Sequence, residues 1–172
     1  GICLSDPLIY EAFTYYDHEV LPYKNDDMIN AKAMPGAHAA LQAVQDAGLR
    51  CALFTNPSFP QGAIECRMGW GELTDAPFEL VTHMGNATRC KPDATYYLEQ
   101  LQVMGLEPHE VLMVGNDPKR DFPSPACGIQ TAYVGQGKPG RATWRGTMED
   151  FARDFNAVVE AFYEHQVADE LS

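Results

Sequence analysis

The sequence has little positive charge and no run of apolar residues long enough to suggest a membrane protein. Its 172 residues include 12 Lys and Arg against 24 Asp and Glu, which gives a formal net charge of −12. Phosphate backbones and anionic lipids repel such a chain, so we expect no nucleic-acid partner and no membrane partner. No apolar run reaches the roughly 18 residues that a membrane span needs, and nothing resembles a signal peptide.

The sequence also lacks any regular arrangement of cysteines. Its five cysteines are irregularly spaced, and no two form a C-x-x-C pair. An odd, irregular set is typical of reduced thiols, which favours a cytoplasmic location over a disulfide-stapled secreted protein. The remaining composition, 45% hydrophobic and 21% charged, is that of an ordinary globular chain. The length suits one domain of ordinary size.

From Pro35 onward the sequence alternates between helical and extended patterns. Short apolar runs predict four buried strands, over residues 51–54, 79–82, 111–114 and 130–134. Helical spacing and end signals predict helices between them, over 35–47, 61–69, 92–105 and 148–166. The segment 135–146, rich in Gly and basic residues, is predicted to be a surface loop. This alternation predicts an α/β fold with a mainly parallel sheet and helices on both faces.

Residues 5–33 have a weaker helical pattern and precede the alternating region. Leu8, Ile9, Ala12 and Phe13 form an apolar stripe at helical spacing, and Pro22 interrupts the continuation. We therefore expect short, irregular helices in this part of the chain.

Polar side chains follow three of the predicted strands. Thr55 and Asn56 follow the first strand, Lys91 lies several residues after the second, and Asp117 and Asp121 follow the third. Ligands in such folds bind beyond the carboxyl ends of the strands, so we expect these side chains at one edge of the sheet. A hydroxyl, an amide and an ammonium group suit a phosphoryl group, and the two carboxylates suit Mg²⁺.

Each of these residues also has a purely structural interpretation. Thr55 and Asn56 could form a turn after a strand, and Asp117 and Asp121 could cap helix N-termini. Lys91 could be a solvated side chain at the start of a helix, although a cation there opposes the helix dipole.

The same residues resemble motifs of the haloacid dehalogenase superfamily of hydrolases. The segment 53–57, Leu-Phe-Thr-Asn-Pro, is similar to the second motif, a strand that ends in Thr or Ser. The segment 90–93, Cys-Lys-Pro-Asp, is similar to the third motif, a Lys that opens a helix. The segment 114–121, Val-Gly-Asn-Asp-Pro-Lys-Arg-Asp, is similar to the fourth, an acidic pair after a strand. The resemblance spans about residues 35–135.

The resemblance implies a Rossmann-like core and a Mg²⁺-dependent phosphatase that acts on a small phosphorylated metabolite through an aspartyl-phosphate intermediate. It implies that Thr55, Asn56 and Lys91 bind the phosphoryl group and take part in catalysis. It also implies that Asp117 and Asp121 bind the metal.

The fourth motif departs from the family pattern by one residue. The family often has its first Asp directly after the Gly, where this chain has Asn116. Either Asp117 or Asp121 is therefore the closer metal ligand, and the choice stays open at this stage.

The family's first motif, a strand followed by Asp-x-Asp that carries the nucleophile, does not occur in this sequence. In the family fold that strand lies at the centre of the sheet, between the strands that end at Phe54 and Val114. Each buried backbone group left unpaired there would cost about 1–3 kcal/mol, against a domain stability of about 5–15 kcal/mol. We therefore expect an N-terminal segment that the sequence does not include. On this interpretation residues 1–33 are the remnant of a helical cap, and residues 34–172 are the core.

Two functions are compatible with the sequence. The first is a phosphatase whose nucleophile lies outside this sequence, and the second is a non-catalytic binding or regulatory relative. The presence of both Asp117 and Asp121 favours the enzyme, because a binding module does not need metal carboxylates. His18, in the presumed cap, is a candidate for approaching substrate. The sequence does not determine the oligomeric state.

Overall fold

The computed structural model describes residues 6–137 and 141–170. Within these ranges the chain forms six α-helices: α1 Pro7–Tyr15, α2 Ala37–Asp46, α3 Gln61–Trp70, α4 Ala94–Met104, α5 Met148–Arg153 and α6 Phe155–Glu170. The same ranges contain five β-strands: β1 Cys51–Leu53, β2 Phe78–Val81, β3 Leu112–Gly115, β4 Gln130–Val134 and β5 Trp144–Gly146. The described residues do not include residues 1–5 of the presumed cap, among them Cys3, or residues 138–140 of the predicted loop.

All of the strand pairings are parallel, as the sequence predicts. β1 pairs with β2, and β3, β4 and β5 form a second sheet in that order. Parallel strands need crossover connections. Helix α3 lies in the connection from β1 to β2, and a 3₁₀ turn over residues 125–127 lies in the connection from β3 to β4. The mixed α/β architecture is therefore confirmed.

Alternating side chains along β3 build a core on each face of its sheet. Leu112 and Val114 pack against the cluster formed by α2, β4, α5 and α6. Val111 and Met113 point the other way and pack against the aromatic side chains of α4. A strand buried on both faces reads as a continuous apolar run, which is how this segment reads in the sequence.

The two sheets share no strand pairing within the described part of the chain. β1 pairs only with β2, and β3 pairs only with β4, so each has one edge without a partner strand there. β4 has neighbours on both sides, and its residues 131–134 are buried. The side chains of β1 and most of β3 are only half-buried. These open edges belong to the two strands between which the sequence predicts a further strand.

Three boundary predictions are wrong. β5 lies inside the segment 135–146, which the sequence predicts to be a loop. Three residues are too few to show the alternation of side chains that marks a strand. Trp144 of β5 packs edge-to-face on Phe151. The helix predicted from Pro92 begins at Ala94, because the side chain of Asp93 accepts the N–H of Thr95 and caps it. The helix predicted over 148–166 is interrupted at Asp154.

The N-terminal segment is helical but irregular, as expected. After α1 come a π-helical turn over residues 16–20, a 3₁₀ turn over 21–23 and a second π-helical turn over 25–29. No side chain of α1 is buried. Over the described residues, no helix is both long and apolar enough to cross a lipid bilayer.

Truncation of Phe151 is expected to destabilise the protein strongly. Phe151 is 4% exposed and makes edge-to-face contacts with Trp144 and Phe155. Phe151→Ala should lower the free energy of unfolding by about 3–5 kcal/mol, because the core cannot close the cavity completely. Urea unfolding measures this change. Val103→Ala, at a position that is 70% exposed, is the matched control and should change it by less than about 0.5 kcal/mol.

Candidate functional site

A largely buried ion pair joins the end of β3 to the loop that follows β2. Lys91 Nζ lies 2.7 Å from Asp121 Oδ1, and the two side chains are 10% and 15% exposed. The other carboxylate oxygen, Oδ2, accepts the backbone N–H groups of Asn116 at 3.1 Å and Asp117 at 2.9 Å. Three donors therefore hold one carboxylate, which offsets the cost of taking its charge out of water.

Gly115 allows this close arrangement. A Cβ at this position would lie 2.6 Å from Cβ of Asp121, which is closer than real Cβ contacts allow. Only a residue without a side chain lets the Asp121 carboxylate lie directly against the end of β3. The space that the Asp121 side chain needs therefore explains why β3 ends in a glycine.

The loop after β1 reaches the same ion pair through Asn56. Asn56 Oδ1 accepts the backbone N–H of Lys91 at 3.1 Å. This bond orients the amide so that its Nδ2 group is presented as a donor. Neither Nδ2 nor the backbone N–H of Asn56 has a hydrogen-bond partner among the described residues. The loop therefore offers unpaired donors next to a lysine.

Thr55 is held by the residue that follows β2. Its backbone N–H donates to Thr82 Oγ1 at 2.7 Å, and its hydroxyl donates to the carbonyl oxygen of Thr82 at 2.6 Å. Thr82 is fully buried. In this arrangement the Thr55 hydroxyl proton is engaged within the protein, and the hydroxyl would have to rotate to donate to a phosphoryl oxygen.

Two adjacent tyrosines of α4 connect both halves of the site. The hydroxyl of Tyr96 donates to the carbonyl oxygen of Thr55 at 2.6 Å, and the hydroxyl of Tyr97 donates to the carbonyl oxygen of Asp121. Both side chains are fully buried, and their rings pack edge-to-face with centroids 5.1 Å apart. Burial raises the pKa of both hydroxyls above the usual tyrosine value, so both remain protonated donors.

Asp117 is the more accessible of the two predicted metal carboxylates. Its side chain is 44% exposed, and Oδ1 accepts the backbone N–H groups of Lys119 and Arg120 at 3.0 and 3.3 Å. Arg120 Nε lies 3.6 Å from Oδ2. Asp117 thus stabilises its own turn and still presents oxygen lone pairs to solvent, whereas Asp121 is engaged on both oxygens.

These two carboxylates are compatible with a magnesium ion. Within residues 6–137 and 141–170, no three His, Cys, Asp or Glu side chains are grouped so as to hold a metal. Mg²⁺ does not need such a group, because it is usually bound through one or two carboxylates, water and substrate phosphate oxygens. Asp117 and Asp121, which follow β3, provide these one or two carboxylates.

The structure brings the five predicted site residues together at the carboxyl edge of the strands. Hydrogen bonds join Asn56 to Lys91 and Lys91 to Asp121, and the backbone N–H of Asp117 donates to Asp121. Thr55 adjoins Asn56 in the chain and is hydrogen-bonded to Thr82 and Tyr96. Their chemical roles stay predictions. A cavity of about 530 Å³ opens beside Thr55 and Asn56, which is room for a small molecule.

Sequence reasoning missed three residues that position the site, Thr82, Tyr96 and Tyr97. Thr82 directly follows a strand and could have been found by the rule that found Thr55. The two tyrosines resemble ordinary packing residues of an amphipathic helix, and only their hydroxyl contacts distinguish them.

A parallel α/β fold whose strand ends deliver a lysine, an amide and carboxylates to one edge defines a phosphohydrolase-type class of protein. The chain belongs to the haloacid dehalogenase-like hydrolase family, whose model matches residues 6–127. It is 30% identical to a phosphoglycolate phosphatase from Rhodospirillum rubrum over 115 residues, which cover 67% of this chain and 46% of that protein. The chain thus spans about half the length of this curated relative.

Solved structures of the same fold confirm the architecture. A β-phosphoglucomutase from Clostridium difficile superimposes with a TM-score of 0.66 at 16% identity, over 93% of this chain and 67% of that one. A HAD phosphatase from Thermococcus onnurineus gives a TM-score of 0.59 at 21% identity, over 70% of this chain and 57% of that one. At such identities the likeness shows the fold alone.

Loss of the Lys91 ammonium group is expected to destabilise the protein. Lys91→Met would leave the Asp121 carboxylate with two backbone donors and no counter-charge in a largely buried place. The free energy of unfolding should fall by about 1–3 kcal/mol. Urea unfolding at neutral pH provides the measurement. Lys119→Met, at an exposed position of the next turn, removes the same charge and should have little effect; equal losses in both variants would contradict the analysis of the pair.

Proposed function

We propose that the protein is a phosphatase that hydrolyses a phosphoric monoester of a small molecule with the help of Mg²⁺. The observation that supports it best is the junction of Asn56 with the Lys91–Asp121 pair. It places unpaired amide donors and an ammonium group at one point of the sheet edge. The relatives named as phosphatases support the same class of reaction.

The phosphoryl group is proposed to bind between Asn56 and Lys91. The amide N–H and Nδ2 of Asn56 donate to phosphoryl oxygens, and Lys91 Nζ keeps two of its three donors after its bond to Asp121. In a partly water-excluded site, fixed donors stabilise charge that grows in the transition state. Thr55 joins this set when its hydroxyl rotates away from Thr82.

The metal is proposed to lie at Asp117, with Asp121 as its neighbour. Asp117 has accessible oxygens, and the hydrogen bonds to Asp121 make it better suited to orient Lys91 than to bind the ion directly. Charge on the phosphoryl oxygens would be neutralised by the bound ion. A chain with a net charge of −12 needs such local positive charge to hold a phosphoester.

The attacking carboxylate is proposed to lie on a strand between β1 and β3. Both strands have an edge without a partner among the described residues, and their side chains there are half-buried. A strand in this place would pair both edges and end at the edge of the sheet that carries Asn56 and Lys91. In the same proposal, residues 1–33 belong to a helical cap over the site, and residues 34–172 form the core.

Replacement of Asn56 by Asp tests the phosphoryl site. Asn56→Asp keeps the oxygen that accepts the Lys91 N–H, but it exchanges the Nδ2 donor for an anionic oxygen that repels phosphate. The affinity for inorganic phosphate, measured by isothermal titration calorimetry, should fall by at least about tenfold, as expected for a lost charge-assisted hydrogen bond.

Asn156→Asp is the matched control, because it adds the same charge at an exposed position of α6. Its phosphate affinity should equal that of the wild-type protein. Hydrolysis of p-nitrophenyl phosphate with and without Mg²⁺, by a chain that includes the strand proposed between β1 and β3, tests the reaction itself. Unchanged phosphate affinity in Asn56→Asp would contradict the proposed site.

The two carboxylates are expected to respond differently to loss of charge. Asp117→Asn should weaken Mg²⁺ binding by about tenfold or more, with a small change in stability, because its side chain is half-exposed. Asp121→Asn should lower both Mg²⁺ affinity and the unfolding free energy, because it also loses the ion pair with Lys91.

Mg²⁺ titration calorimetry in the presence of phosphate, together with urea unfolding, separates the two effects. Asp75→Asn, an exposed carboxylate between α3 and β2, serves as the control for net charge. Equal Mg²⁺ affinities in Asp117→Asn and the control would rule out Asp117 as a ligand.

A further inference from the structure

A second cavity, of about 220 Å³, lies between the N-terminal helical segment and the start of α3. One wall is formed by Thr14, Asp17 and His18, and the opposite wall by Gln61 and Glu65. Its lining is therefore rich in hydrogen-bonding groups, and none of them belongs to the phosphoryl site described above.

The cavity opens at the same edge of the β1–β2 sheet as that site. Pro60 and Met84 line it. The backbone N–H of Met84 donates to the carbonyl oxygen of Phe59 at 2.9 Å, which joins the chain leaving β1 to the chain leaving β2. Asn56 lies on the first of these two segments, four residues before Pro60. The chain segment that carries Asn56 therefore leads to the wall of the cavity at Pro60.

Asp17 is a largely buried residue whose carboxylate lines the cavity next to His18. It is 6% exposed, it lies in the π-helical turn of residues 16–20, and its carboxylate accepts no hydrogen bond from any described residue. Burial raises its pKa above the usual aspartate value, and the neighbouring His18 offsets part of this rise. The carboxylate oxygens can be reached from the cavity that Asp17 lines, so a group that enters the cavity can contact them.

The packing around Asp17 keeps the cavity open. A Cβ at Gly62 would lie 3.3 Å from Nε2 of His18 and 3.5 Å from Cβ of Asp17. The absence of a side chain at position 62 lets the helical segment approach α3 closely without filling the space between them.

The groups in the cavity are mostly acceptors and aromatic faces. Glu65 adds a second carboxylate, held by Gln61 Nε2 at 2.7 Å. The Thr14 hydroxyl donates to the carbonyl oxygen of Tyr10 at 3.0 Å, which leaves its lone pairs as acceptors. The rings of Tyr10 and Phe13 complete the lining. Carboxylates combined with aromatic rings suit an organic cation.

We infer that this cavity binds the ammonium end of an aminoalkyl phosphate, whose phosphoryl end binds at Asn56 and Lys91. The inference rests on the proposed phosphatase function and specifies its substrate class. Asp17 is the specificity-determining residue, because its carboxylate accepts no hydrogen bond from the described residues and gains one when an ammonium group enters. Glu65 contributes charge, and the rings of Tyr10 and Phe13 offer aromatic faces to the cation.

The test compares the calorimetric affinities of ω-aminoalkyl phosphates of increasing chain length with those of alkyl phosphates of equal length. At the length that spans the two sites, the ammonium compound should bind at least about tenfold more tightly. Asp17→Asn should abolish this preference and leave the affinity for the alkyl phosphate unchanged. Glu19→Gln, an exposed carboxylate of the same turn, is the matched control and should keep the preference.

Urea unfolding distinguishes a specificity role from a structural one. Burial raises the pKa of Asp17, so its charged form is disfavoured in the folded protein, and Asp17→Asn should be at least as stable as the wild-type protein. A clear loss of stability in this variant, with the ammonium preference intact, would show a structural residue and overturn the inference. A preference for ω-carboxyalkyl phosphates would also overturn the inference, because Asp17 and Glu65 should repel a carboxylate.

Two further binding measurements, with inorganic phosphate and with n-butylammonium, distinguish this inference from the proposed function. If inorganic phosphate binds but no chain length shows an ammonium preference, the inference is overturned and the phosphatase proposal stands. If n-butylammonium binds in an Asp17-dependent manner and phosphate does not bind, the phosphatase proposal fails while the cation-binding cavity stands. If neither probe binds, both are overturned.

Discussion

The ion pair between Lys91 and Asp121 is the contact on which the geometry of the site depends. Neither charge is stable in this largely buried place without the other, so the pair fixes the loop after β2 against the end of β3. Two backbone N–H groups complete the coordination of the carboxylate, and the space for it exists because residue 115 is glycine. Asn56 is then oriented by the backbone of the same lysine.

Helix α4 connects the two sheets, which share no strand pairing within the part of the chain that the structure describes. Neighbouring residues of an α-helix point about 100° apart, so Tyr96 and Tyr97 can contact different strands. One hydroxyl holds the end of β1 through Thr55, and the other holds the end of the β3 segment through Asp121. The phosphoryl site is therefore supported by buried aromatic side chains of one rigid element.

The acidic character of the chain has different consequences in two places. At the edge of the sheet, Asn56 and Lys91 create a local surplus of donors in a protein with a net charge of −12. In the neighbouring cavity, Asp17 and Glu65 follow the overall charge and present acceptors. Under the proposed function, two such sites would suit a ligand with an anionic and a cationic end.

The sequence by itself determined the fold class, the order of the elements and the five candidate residues at the strand ends. Apolar periodicity and turn residues are local signals, and parallel strands bring their carboxyl ends to one edge whatever the details. Only the tertiary structure decided that Asp121 pairs with Lys91, that Thr82, Tyr96 and Tyr97 hold the site, and that Asp17 lines a cavity. β5 also became visible only through its pairing with β4. These features depend on contacts between residues far apart in the chain, and no local pattern of residue types encodes which hydroxyl or carboxylate meets which partner.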